Sequence, residues 1–202
     1  DHRLDDLAAI FNPKKTIYTT FEFTDIAGLV KGASRGEGLG NKFLANIRET
    51  DAICEVVRCF RDKDITHVDG SVDPVRDVET INLELVMADL ETVDKRIGKI
   101  EKKAQTGDKE AKAEMDVLEP LKEVLEAGKM ARTLTFNKEE MVYVKQFNLL
   151  TTKPMIYVAN MGEEDIEDPN SNPYYITLKE YAAKEGCDVV PICAKIESEL
   201  AA

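Results

Sequence analysis

Hydrophobic positions along this chain follow two different periods. Short runs rich in β-branched and aromatic residues predict strands at residues 19–25, 52–60 (AICEVVRCF), 154–159 (PMIYVA, ending at Asn160) and 189–194. Between them, apolar residues recur at helical spacing. Residues 4–11 predict a short amphipathic helix stopped near Pro13, and 42–50, 138–150 and 172–185 predict three more. Asn172 is placed to cap the last of these, with Pro173 in its first turn. Strands alternating with helices predict an α/β fold with a mostly parallel sheet and helices on both faces.

One stretch breaks this alternation. Leu83, Val86, Leu90, Val93, Ile97, Ile100 and Ala104 repeat at spacings of three and four, which is a heptad seam. Thr106-Gly107-Asp108 reads as a tight reversal, and Ala111, Met115, Leu118, Leu121 and Leu125 form a return stripe containing Pro120. Residues 78–128 are expected to form an antiparallel helical hairpin, with a first helix of about 28 residues and roughly 40 Å. The chain then divides into 1–77, the hairpin 78–128, and 129–202. The two outer parts belong to one fold, interrupted by the insertion.

Composition narrows the partners. The net charge is −12, with a sequence pI near 4.8, which disfavours nonspecific binding of nucleic acid by the whole surface. The hairpin is locally different: Lys95, Arg96, Lys99, Lys102, Lys103, Lys109 and Lys112 face only Glu101, Asp108 and Glu110 in that stretch. That basic end is either a solvated tip or an RNA or ribosome contact. No apolar run approaches the roughly 20 residues that span a bilayer, so no membrane partner is expected. The cysteines at 54, 59, 187 and 193 make no C-x-x-C pair and read as buried reduced thiols of a cytoplasmic protein.

Ligands of open α/β sheets bind beyond the carboxyl ends of the strands. Asp25, Asn160 and Cys193-Ala194 all fall at those predicted ends. Asp25-Ile26-Ala27-Gly28-Leu29 continues into Val30 to Asn41, with further glycines at 32, 36, 38 and 40. A strand-end Asp and a Gly three residues later suit a nucleotide switch. The carboxylate holds Mg²⁺ through water, and the glycine's backbone N–H approaches the γ-phosphate where a side chain would block it. No G-x-x-x-x-G-K-[ST] phosphate loop occurs in the chain.

The string from Asp25 to Asn41 resembles the Obg-related GTPases. Asp1-His2-Arg3-Leu4-Asp5, the run from Asn41 to Asp51, and Val56-Val57-Arg58-Cys59-Phe60 narrow the resemblance to the YchF or Obg-like ATPase family. Glu55 departs from the histidine that family often carries before Val-Val-Arg. The resemblance implies an incomplete P-loop NTPase, lacking a phosphate loop before Asp1 and a TGS domain after Ala202.

It further implies an ATPase that acts with Mg²⁺ as a switch on the ribosome and is monomeric, with this fragment inactive alone. Where related switches read guanine with N-K-x-D, this chain has Asn160-Met161-Gly162-Glu163, which fits adenine. Asn160 would serve the purine's N7 edge, and Met161 would offer a polarisable apolar surface to the ring. Glu163 either contacts the base or is a solvated acid. Cys193-Ala194-Lys195 resembles the S-A-K loop that presents backbone N–H groups to the base. Leu29 stands where many switches have a water-positioning glutamine, and it cannot orient a water. His67 resembles the loop histidine proposed to take over that task; its alternative is an ordinary surface histidine. Two rival functions remain open: a GTPase of the Obg type, and a noncatalytic module that binds partners through its hairpin.

Overall fold

The computed structural model describes residues 2–26, 40–67 and 70–202. Three parallel strands, β1 (Ile53–Arg58), β2 (Met155–Asn160) and β3 (Asp188–Ile192), form a sheet in the order β1-β2-β3. The helices are α1 (His2–Phe11), α2 (Gly40–Arg48), α3 (Pro74–Gln105), α4 (Lys109–Glu126), α5 (Glu140–Phe147), α6 (Pro173–Glu185) and α7 (Ala194–Leu200). The register sets Arg58 opposite Asn160 and Asn160 opposite Ile192, so all three strands end on one rim.

Residues 19–25 do not form a strand. Phe21 and Phe23 are 83% and 82% exposed, and none of the three described strands pairs with this run. Alternation marks a segment able to become a strand. Only a neighbouring backbone that completes the hydrogen-bond ladder makes it one.

Helix coverage of the sheet also departs from expectation. Tyr157 on β2 is closed from solvent; its hydroxyl oxygen accepts from Asn82 Nδ2 of α3 at 3.1 Å, while its ring meets Tyr181 of α6 edge-on. Both helices therefore pack on the same face. Successive right-handed crossovers running in one direction along a sheet put their helices on one side. On the opposite face Val56 is 65% exposed and Val190 42%.

The long hairpin is present, but its first helix starts at Pro74 and is rooted in the core. Asp73 caps it by accepting from the Arg76 N–H at 3.1 Å. Its first half is buried through Val78, Leu85, Val86 and Asp89, whereas Leu83, expected in the seam, is 53% exposed. The free arm is therefore shorter than the whole of α3, which spans about 48 Å at 1.5 Å per residue. Farther out α3 packs along α4, with Val93 and Ile100 on one helix and Ala111, Leu118, Leu121 and Leu125 on the other all buried. Each buried aliphatic side chain of this kind contributes about 1.5–3 kcal/mol. The exposed Lys122–Asp94 bridge at 2.7 Å is screened by water and adds little beside this. The apolar seam, then, holds the hairpin closed.

All four cysteines are free; Cys59 and Cys193 are buried as expected, and Cys54 is exposed on the open sheet face. No described helix is long and apolar enough to cross a membrane.

Candidate functional site

The strand-end rim is stitched together around Asn160. Its carbonyl accepts from the Cys59 N–H at 2.8 Å, and the next residue, Met161, donates its N–H to Ile192 at 2.8 Å. The Asn160 side-chain Oδ1 accepts from the backbone N–H of Ala194 at 3.0 Å. Two sequence motifs separated by more than thirty residues are thereby joined at one point, the start of α7. Lys195 pairs with Glu163 across the same junction, and that bond pushes the ammonium's pKa up. Cys193 is buried at the cap position of α7 and makes no side-chain capping bond, as the exchange of a hydroxyl for a thiol leads one to expect. Met161 is 2% exposed and belongs to the hydrophobic core. Its thioether thus has no surface to offer a ring; the alternating pattern of β2 carries one residue past the strand and turns this side chain inward.

Asn172 braces the rim from below. Its Oδ1 accepts from the N–H groups of Tyr174 and Tyr175 at 2.8 and 3.0 Å, capping α6. Its Nδ2 donates to the Cys59 carbonyl at 2.9 Å and to Asp165 Oδ2 at 2.7 Å. One buried amide thus ties the end of β1, the loop after β2 and the start of α6.

The segment after β1 is organised by Arg58. Its guanidinium donates to the carbonyls of Phe60 and Ile65 at 3.1 Å each and lies over the Phe60 ring at 4.7 Å. This leads the chain to His67, whose Nε2 lies 2.9 Å from Asp77 Oδ2 on the first turn of α3. Gly70, at φ +76°, closes the turn by donating to the His67 carbonyl at 3.0 Å. The negative charge of Asp77 and, above all, burial push the neighbouring Cys59 thiol up to about 12, so it is no nucleophile at neutral pH.

Asp25 is exposed and lies outside any strand, because none of the described strands pairs with 19–25. Gly28 and Leu29 lie outside the described residues. Among the described residues no group of three His, Cys, Asp or Glu side chains is assembled to hold a metal. A single exposed carboxylate fits a cation whose other ligands are phosphate and water.

Asp77 and Arg58 were not legible as site residues. An acid in a helix's first turn is explained by the helix dipole alone, and only the fold reveals its contact with His67.

A family model described as a 50S ribosome-binding GTPase matches residues 9–118. The chain is 56% identical over 201 residues to the ribosome-binding ATPase YchF of Bacillus subtilis, covering 100% of this chain and 55% of that protein. It is 52% identical to the protein of that name from Escherichia coli O157:H7, covering 100% and 54%. A solved structure of the Schizosaccharomyces pombe YchF GTPase superposes with a TM-score of 0.81 at 36% identity, over 99% of this chain and 55% of that one. The chain spans about half the length of the curated relatives it matches.

Proposed function

The chain belongs to the YchF family of Obg-related P-loop nucleotide hydrolases, and on that premise we propose that it forms part of an ATP-hydrolysing switch acting on the ribosome. The Asn160–Ala194 hydrogen bond is the observation that carries this reading. It brings the two loops with base-reading patterns to one point on the rim where such sheets bind ligands.

Adenine preference follows from what the rim lacks. Guanine recognition needs a fixed carboxylate facing N1–H and the amino group. Adenine leaves such a carboxylate unpaired, costing about 1–3 kcal/mol. Here the acidic residue of the tetrad, Glu163, is engaged by Lys195. Asn160 would address the purine's N7 edge, and the backbone at Cys193 and Ala194 would support the base.

At the other end of the nucleotide, Asp25 would hold Mg²⁺ through water, and Gly28 would meet the γ-phosphate. When bound, the ion neutralises charge developing on the phosphoryl oxygens. Leu29 leaves the attacking water without a side-chain partner, and His67 takes that role. Residues 1–77 and 129–202 together make the nucleotide-binding part, with 78–128 as the inserted arm. The arm's basic end would touch ribosomal RNA: Lys99, Lys102, Lys103, Lys109 and Lys112 are exposed and have no ion-pair partner among the described residues.

Competition binding tests the base assignment in the longer protein that we take to contain this chain. ATP should displace a labelled nucleotide at lower concentration than GTP. A clear advantage for GTP would convert the reading to the Obg-type GTPase.

A further inference from the structure

We propose that Asp77 is the positioning residue for His67, an inference that rests on the reading of His67 as the group that handles the attacking water. The two carboxylate oxygens of Asp77 have separate tasks. Oδ2 meets His67 Nε2 at 2.9 Å. Oδ1 accepts from Arg76, at 3.2 Å from Nε and 3.0 Å from Nη2.

Arg76 is itself anchored. Its Nη2 donates to the Ser71 carbonyl at 2.5 Å, and Nη1 to the Ser71 hydroxyl at 3.1 Å. Asp77 sits on the first turn of α3, fixed by the Asp73 cap and by its own N–H bond to the Asp73 carbonyl at 3.0 Å. The carboxylate is thus oriented from two sides on a rigid element, and the imidazole is oriented by it. Both side chains are largely shielded, at 15% exposure for His67 and 22% for Asp77, so water competes weakly for the bond.

The chemistry follows from donor and acceptor roles. A carboxylate accepts, so Nε2 carries the proton. A proton taken from water by the ring is then taken at Nδ1. A base whose second nitrogen is held by a third group is the recurring arrangement for fixing tautomer and ring plane. The contact also ties the segment after β1 to the start of the hairpin's long helix, so the base would move with that helix.

Two measurements test the assignment. In the 202-residue chain, ¹⁵N spectra of the His67 imidazole should show the neutral ring as the Nε2–H tautomer. Asp77→Ala should abolish that single-tautomer signature, and a wild-type Nδ1–H tautomer overturns the proposal. In the longer protein, Asp77→Ala should lower single-turnover ATP hydrolysis about tenfold or more, with ATP affinity within about twofold. Asp77→Glu should recover part of the loss, and the His67→Ala, Asp77→Ala double variant should be no slower than His67→Ala alone. Asp77→Asn repeats the test if the alanine variant does not fold.

Normal turnover in the Asp77 variants beside a slow His67→Ala overturns the positioning role while leaving the histidine's role intact. So does a double variant whose losses multiply. Normal turnover in His67→Ala removes both.

Discussion

Asp89 accepts from the backbone N–H and the hydroxyl of Thr151, each at 2.7 Å, in a place fully closed from solvent. A third bond from the Leu150 N–H at 3.0 Å completes the clamp, and Arg48 approaches at 3.4 Å. This pins the middle of α3 to the turn before β2. It is the anchor from which the hairpin arm extends.

Asp89→Ala should therefore cost about 3 kcal/mol, because it strands two buried N–H groups and a hydroxyl at once. Urea unfolding of the chain measures this. A loss below about 1 kcal/mol would show that the clamp is not what roots the arm. Lys122→Ala, at the exposed and solvent-screened bridge, should leave the unfolding midpoint nearly unchanged in the same assay.

Glu55 lies on the helix-covered face of β1 with its Oε2 enclosed and unbonded. Desolvation raises its pKa from 4.5 to about 8, against the pull of Arg132 and with help from Asp77. The folded state thus binds this proton more tightly than the unfolded chain. Stability is full below pH 4.5 and falls as pH rises toward 8, by on the order of 3–5 kcal/mol from this group. Asp89, raised in the same direction by burial, adds to the slope. Glu55→Gln should flatten the decline seen in unfolding between pH 5 and 8. An unchanged slope would place the pH dependence elsewhere.

Charge reversal at the hairpin end tests the arm's partner. Lys99→Glu, Lys102→Glu and Lys103→Glu together should weaken sedimentation with ribosomes at least about tenfold at moderate salt. The remaining binding should also depend less steeply on salt. Ribosome binding that survives with the same salt dependence would leave these lysines as a solvated tip.

The 202-residue chain alone should bind ATP poorly, since it contains no phosphate-loop motif to cradle the triphosphate. Calorimetry with ATP and Mg²⁺ should give no micromolar affinity. A micromolar constant would mean the rim and switch string suffice without that loop.

Much of this fold was legible locally. The Asn172 cap, the Pro173 start of α6, the turn at Gly107 and the strand-forming runs of β1, β2 and β3 each follow from residue chemistry acting over a few positions. The candidate rim was legible in part: Asn160 and Ala194 were expected at strand ends and do meet. Met161 was misread: the alternation that buries Met155, Tyr157 and Ala159 on β2 runs one step past the strand and buries Met161 as well.

Sequence by itself determined the periodicities, the caps and the motif strings, because these depend on neighbours within one or two turns. Tertiary structure alone decided the rest. It left Phe21 and Phe23 without a ladder, put α3 and α6 on one face, sank the root of α3 into the core, and set Asp77 against His67. Each of those outcomes depends on which distant backbone or side chain arrives to bond or bury a group, and no local pattern carries that information.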